Sequence, residues 1–227
     1  MFSVIFEVHP KPEQWDSYLG HANMLRPELE KVDGFVDNIR YNSLTREGWL
    51  LSLSGWRDEK AVVRWRTATG HHMVQEKGRS EILLDYHLRV GQLTHDSRVP
   101  QGQVIAEQRL DETEIGAGST VTFIDTKWPA KPSKQAPPSE IAAGLGLDPD
   151  AKGLAGWDVY DAVLTPGDLI LMMVWKTAAN ADAFARSAAV PEGGRLRHVR
   201  IIRDYGMFDR REAPQYYPAV ERRCSDG

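Results

Sequence analysis

The chain has 227 residues, with 28 lysines and arginines against 32 aspartates and glutamates, and a formal net charge of -4. The negative net charge and the absence of a basic stripe in the sequence exclude nucleic acid as the main partner. A single cysteine excludes an internal disulfide framework. The N-terminus lacks a signal-peptide pattern and no apolar run is long enough to span a membrane, so a cytoplasmic protein without a membrane partner is expected.

The first half of the chain predicts the order strand, helix, strand, strand, helix, strand. Residues 2–9 alternate apolar and polar side chains, and apolar residues from Trp15 to Val32 recur at three- and four-residue spacing. Pro27 is expected to bend or break this helix. The predicted elements are strand 2–9, a helix from 15 to 32, strands 35–42 and 48–56, a helix from 58 and strand 81–93.

The second half repeats the first. Asp85-Tyr86 and Asp204-Tyr205 each follow a tryptophan, Trp56 or Trp175, at the same distance. Markers in the same order at the same spacing indicate a duplicated domain. The predicted boundaries are an N-terminal domain at 1–95, a connector at 96–117, a degenerate second copy at 118–208 and a polar tail at 209–227.

Several motifs of the first half resemble a known family. They include the opening strand Val4-Ile5-Phe6-Glu7-Val8, Asp33-Gly34-Phe35, the run from Leu51 to Glu59, and Asp85-Tyr86-His87-Leu88-Arg89-Val90. The match resembles the antibiotic biosynthesis monooxygenase domain of the dimeric α+β barrel superfamily. The resemblance implies a ferredoxin-like βαββαβ unit whose sheets pair into a barrel. Its relatives include cofactor-free oxygenases of polycyclic aromatic phenols, heme-degrading monooxygenases and members without known activity.

The repeat and the resemblance together predict an α+β fold. Two tandem ferredoxin-like βαββαβ domains are expected to pack their antiparallel sheets as an intrachain dimeric α+β barrel, because each sheet then covers the exposed edges of the other. Further association of whole chains into a homodimer is compatible with this architecture.

The first copy also contains the residues that could carry chemistry. The candidates are His71, His72 and Arg79 as catalytic groups, with Trp56, Trp65, Met73 and Tyr86 as substrate-binding groups. A histidine near neutrality can act as a base. Helical phase from Trp65 favours His72, whereas the family pattern favours His71, and the sequence leaves both open.

Each of these residues also has a structural interpretation. The tryptophans are common core residues, Tyr86 recurs as Tyr205, Arg79 could lie on the surface, and the two histidines could be solvated. Val190 and Pro191 stand opposite the histidine pair in the second copy. A ligand pocket is therefore predicted in the first copy, between its sheet and the helix carrying Trp65, with the second copy as its lid or wall.

The candidate residues of the first copy suit a monooxygenase that oxidises a small aromatic or polyketide-like substrate without a metal. No metal motif or dinucleotide fingerprint occurs, so no cofactor is expected. Heme is the alternative cofactor, because Trp65 and a histidine could match heme-degrading relatives, although the first strand has no asparagine. A non-catalytic ligand-binding or assembly domain is the third interpretation.

Overall fold

The computed structural model describes residues 1–127 and 136–221 of the chain. The strands are β1 Phe2–Pro10, β2 Phe35–Ser43, β3 Leu50–Trp56, β4 Leu83–Asp96, β5 Thr120–Lys127, β6 Leu154–Ala162, β7 Asp168–Trp175 and β8 Arg195–Gly206. The helices are α1 Trp15–Leu29, α2 Glu59–Thr67, α3 Thr69–Lys77, α4 Pro138–Gly144 and α5 Ala178–Ala185, with a 3₁₀ turn at Pro12–Gln14 and a π turn at Gly78–Ile82.

The strands close into one antiparallel barrel in the order β1-β3-β2-β6-β7-β5-β8-β4. The two copies, β1–β4 and β5–β8, meet at two seams, where β2 pairs with β6 and β4 pairs with β8. The second seam is long and runs from His87 opposite Gly206 to Asp96 opposite Arg197. This architecture confirms the predicted fold, and closure leaves neither sheet with an unpaired edge.

Apolar side chains from both copies fill the barrel interior. Ile5 and Leu51 of the first copy pack there with Phe123, Ile170 and Val199 of the second, and all five are almost fully buried. Burying a side chain of this size contributes about 1.5–3 kcal/mol. The alternate residues of each strand face outward toward the helices. Those of β8 reach the first copy, where Ile202 packs with Leu29 and Val62.

The second helix predicted from the sequence is two helices in the structure. Ala68 separates α2 from α3 with an extended conformation, φ −61° and ψ 132°. Pro27 was expected to bend or break the predicted helix; α1 is not broken at Pro27 and ends shortly after it, at Leu29. Pro27 lies in the last turn of α1, and its missing N–H removes a single helical hydrogen bond, the one to the carbonyl oxygen of Asn23. Of the helices in the described ranges, none has the length and apolar character needed to cross a membrane.

A buried polar cluster joins the two copies at one end of the barrel. Asp158 on β6 is 2% exposed and accepts hydrogen bonds from Ser43 Oγ at 2.8 Å and Arg46 Nε at 2.8 Å. Arg46 also donates to Glu7 Oε1 at 2.5 Å and to Tyr160 Oη at 2.9 Å. The β2–β3 turn of the first copy is thereby fixed to the second copy.

The C-terminal segment after β8 folds back over the first copy. Ala213 and Val220 pack against the apolar cluster that contains Tyr86, Tyr205 and Met207. The tail predicted at 209–227 is described as far as residue 221. Its described part forms a wall beside α3 and β4.

Candidate functional site

A cavity of about 230 Å³ lies between the outer face of the first sheet and helices α1 to α3. This is the position predicted from the sequence. Its walls are mostly apolar and include Val4, Phe6, Leu25, Trp56, Val62 and Trp65. A concave, largely apolar space with a few polar groups is typical of a small-molecule site.

His71 is held against Trp65 on one wall of this cavity. The two rings are stacked with centroids 4.3 Å apart and planes inclined by 14°. His71 Nδ1 lies 3.0 Å from the carbonyl oxygen of Trp65. Because a carbonyl can only accept, Nδ1 carries the hydrogen and Nε2 keeps its lone pair. Burial lowers the pKa of His71 to about 4, outweighing the opposing effect of the Trp65 carbonyl, so the ring is neutral at pH 7.

The structure decides between the two histidines. His72 is exposed, and its Nδ1 lies 3.2 Å from the hydroxyl oxygen of Tyr217, while His71 lines the cavity. Helical phase from Trp65 pointed to His72, but the extended residue at Ala68 resets that phase. The side chain of Met73 is 66% exposed and lies outside the cavity, because it follows His72 on the outer face of α3.

Arg79 and Tyr86 lie together at another wall of the cavity. Arg79 is 5% exposed, so it is not a surface residue. Its Nη1 donates to Tyr86 Oη at 2.7 Å and to the carbonyl oxygen of Met207 at 3.2 Å. Arg210 Nη1 donates to the same hydroxyl oxygen at 2.6 Å. The π turn at Gly78–Ile82, a distortion often found at functional sites, places Arg79 there.

Comparison with known proteins gives a family match and a full-length relative. The model of the family described as antibiotic biosynthesis monooxygenase matches residues 1–77. A protein of Pyricularia oryzae (strain 70-15), named jasmonate monooxygenase ABM, is 48% identical over 223 residues, or 96% of this chain and 99% of that protein. The chain belongs to the antibiotic biosynthesis monooxygenase family. The family and the monooxygenase class inferred from the first half of the sequence are thereby confirmed.

Solved structures share a weaker likeness with this member of the antibiotic biosynthesis monooxygenase family. An anthrone oxidase-like protein gives a TM-score of 0.32 at 12% identity, over 94% of this chain and 96% of that chain. A conserved protein from Methanosarcina mazei Go1 gives a TM-score of 0.31 at 22% identity, over 33% of this chain and 73% of that chain. Scores of this size add nothing to the family assignment.

Several cavity residues of this antibiotic biosynthesis monooxygenase were not found by sequence reasoning. They come from α1, α2 and β2, and above all from β8 and the tail that follows it: Tyr18, His21, Arg40, Arg66, Arg203, Tyr205, Arg210, Gln215 and Tyr217. One signal was available, since Tyr205 is the repeat counterpart of Tyr86. The two tyrosines line the same cavity, because the long β4–β8 seam brings the second copy to the edge of the first.

Trp56 is both a core residue and a cavity-lining residue, the two roles considered for it from the sequence. The side chain is 1% exposed and its Nε1 donates to Ser54 Oγ at 2.9 Å, so it is a core residue that also lines the cavity. The matching residue of the second copy, Trp175, packs against Phe184 with ring centroids 5.0 Å apart in the apolar cluster under α5.

Among the described residues, no group of three or more His, Cys, Asp or Glu side chains could hold a metal ion.

Proposed function

We propose that this protein is a monooxygenase that oxidises a small, largely apolar organic acid of the jasmonate type in the N-terminal cavity. The relative named jasmonate monooxygenase ABM aligns with 96% of the chain, so the alignment includes the cavity and the second copy that walls it. A molecule with an apolar body and one carboxylate suits a cavity with apolar walls and several arginines.

The position of His71 is the observation that carries the proposal. The lowered pKa keeps the imidazole neutral above about pH 5, and Nε2 has no hydrogen-bond partner among the described residues. Stacking on Trp65 and the bond to its carbonyl fix the ring. We assign to Nε2 the role of holding a proton that leaves the substrate or enters reduced oxygen, a step that a positioned side chain can accelerate.

The stoichiometry of the reaction sets what the assay must contain. Insertion of one oxygen atom into a C–H bond consumes one O₂, two electrons and two protons, and releases one water. A jasmonate-type acid then needs an external two-electron reductant. The proposal assigns no resident metal or organic cofactor, as expected from the sequence.

A second candidate substrate is the electron-rich phenol expected from the sequence. Trp56, Trp65 and Tyr86 all line the cavity and offer aromatic surfaces to a flat ring. A phenolate of this kind reduces O₂ with its own electrons, so its oxidation needs no reductant. Dependence on a reductant therefore separates the two substrate classes.

The test uses the purified full chain with jasmonic acid, dioxygen labelled with oxygen-18, and either NADPH or no reductant. Mass spectrometry is expected to show a product with one labelled oxygen atom, formed only with reductant. We expect His71→Gln to lower kcat by roughly a hundredfold or more. His95→Gln is the matched control, since this exposed histidine lies outside the cavity. Absence of labelled product in every reaction would overturn the proposal.

Two further reactions test the other interpretations with the same preparation. Oxygen consumption with an anthrone-type phenol and no reductant would favour the aromatic substrate over the organic acid. Hemin titration addresses the heme alternative. A stoichiometric Soret shift that disappears in His71→Gln would contradict a reaction without a resident metal.

A further inference from the structure

We propose that Arg79, Tyr86 and Arg210 form an anion site at one end of the N-terminal cavity, and that this site binds the substrate carboxylate. The identity of that substrate rests on the proposed function, whereas the anion site rests on the charges and hydrogen bonds of the cavity itself. We call this group of three side chains the anion site.

The cavity has a strong excess of positive charge although the chain carries a net charge of -4. One carboxylate lines it, that of Glu59, and Arg109 Nη1 already pairs with this group at 2.8 Å. Within the described residues, neither guanidinium of the anion site has a carboxylate oxygen within 4.0 Å. The cavity-lining arginines are Arg40, Arg66, Arg79, Arg203 and Arg210. An organic anion is the ligand that such a field attracts.

The hydroxyl group of Tyr86 is prepared to donate to a further acceptor. A phenolic oxygen has two lone pairs and one hydrogen. Arg79 Nη1 donates to this oxygen at 2.7 Å and Arg210 Nη1 donates at 2.6 Å, so both lone pairs are used. The hydrogen therefore has to point elsewhere, and no acceptor for it occurs among the described residues. A carboxylate oxygen beside the two guanidiniums would accept it.

Burial makes the unbalanced charge costly without such a ligand. Arg79 is 5% exposed, and its Nε is buried without a hydrogen-bond partner. The Nε atoms of Arg40 and Arg66, on the same cavity, are buried without a partner as well. A buried charge is tolerated when it is paired and hydrogen-bonded. A bound carboxylate supplies both the charge and the acceptor atoms.

The location of the anion site orients the rest of the ligand. Tyr86 and Arg79 share the cavity with Trp65 and His71. An acid held by its carboxylate at the anion site keeps its apolar body inside the cavity, along the wall that includes Phe6. The tail residue Arg210 completes the site, so the ligand also contacts the segment that follows the second copy.

Binding measurements on the full chain test this proposal without turnover. The dissociation constants of jasmonic acid and its neutral methyl ester are measured by isothermal titration calorimetry. The wild type is expected to bind the acid more tightly. Tyr86→Phe and Arg210→Gln are each expected to weaken binding of the acid roughly tenfold to a hundredfold and to leave the ester within about twofold. Arg211→Gln is the control, because Arg211 is exposed and paired with Asp209.

A second pair of probes, octanoic acid and octan-1-ol, separates the anion site from the proposed function. If jasmonic acid is not oxidised but octanoate binds better than the alcohol, and Tyr86→Phe removes the difference, the anion site stands and the proposed substrate does not. If the wild type binds acid and neutral partner equally in both pairs, or if Tyr86→Phe and Arg210→Gln weaken both partners equally, the anion site is refuted. Thermal unfolding of each variant confirms that the fold is retained.

Discussion

Replacing His71 by glutamine isolates the effect of burying a titratable ring beside Trp65. Burial lowers the pKa of His71 from 6.5 to about 4, so between these pH values the unfolded chain binds a proton that the folded chain does not. The stability of the fold therefore falls as the pH drops through this window. Glutamine keeps a polar side chain of similar reach and cannot titrate.

The magnitude follows from the two pKa values. At pH 7 the folded state is unprotonated at this position and the unfolded state is protonated in roughly a quarter of the molecules, whereas at pH 5 the unfolded state is protonated and the folded state is mostly not. Lowering the pH from 7 to 5 should cost the wild type about 2 kcal/mol through His71 alone. His198, whose pKa is also lowered by burial, is present in both proteins and cancels in the comparison.

Urea unfolding followed by fluorescence at the two pH values provides the assay. The wild type is expected to lose about 2 kcal/mol more than His71→Gln between pH 7 and pH 5. Met73→Gln is the control on the same helix, because Met73 is exposed and does not titrate. Equal losses in the wild type and His71→Gln would show that the ring is solvated, and the assignment of Nε2 as a proton acceptor inside the cavity would fail with it.

Two further substitutions test the packing of the barrel. A Cβ atom at Gly91 would lie 2.5 Å from a backbone oxygen of β8. Gly91→Ala is therefore expected to lower the free energy of unfolding by about 1–3 kcal/mol and to lower the thermal midpoint. Gly20→Ala is the control, because its added Cβ atom meets no atom within 4 Å, and its thermal midpoint is expected to be equal or higher. Asp158→Asn would remove one of the two buried carboxylates that pair with Arg46, the other being that of Glu7. It is expected to cost about 1–3 kcal/mol in urea unfolding, whereas an unchanged urea midpoint would contradict a structural role for the Arg46–Asp158 pair. Asp209→Asn on the exposed tail is the comparison.

Most of the fold could be predicted because the residues that recur in the two halves of the sequence are residues of the hydrophobic core. Trp56 and Trp175 are both buried, and Tyr86 and Tyr205 both end in the same apolar cluster. Periodicity therefore predicted the strands, and the repeat together with the family resemblance predicted their pairing into a barrel. The break at Ala68 could not be predicted from helix propensity, since alanine is a strong helix former and yet this residue is extended.

The candidate site could be predicted only in part, because some of its residues come from parts of the chain that are distant in sequence. Helix and strand assignments were enough to place Trp65 and Tyr86, whereas helical phase pointed to His72 and only the family pattern favoured His71. Arg203 reaches the cavity from β8 across the β4–β8 seam, and Arg210 reaches it from the tail that follows β8. Contacts across such a seam depend on barrel closure and strand register, which one sequence does not encode in any local pattern.

The β4–β8 seam also determines how freely each half of this protein can change. In a barrel made of two identical subunits, any substitution would appear at both symmetry-related positions, so a residue that improves one cavity could impair the other. Here Arg203 faces the N-terminal cavity, while Leu84, its counterpart by the repeat spacing, is exposed and does not line it. Joining the halves in one chain removes the symmetry constraint, so one half can specialise in holding the ligand while the other supplies charge to its wall.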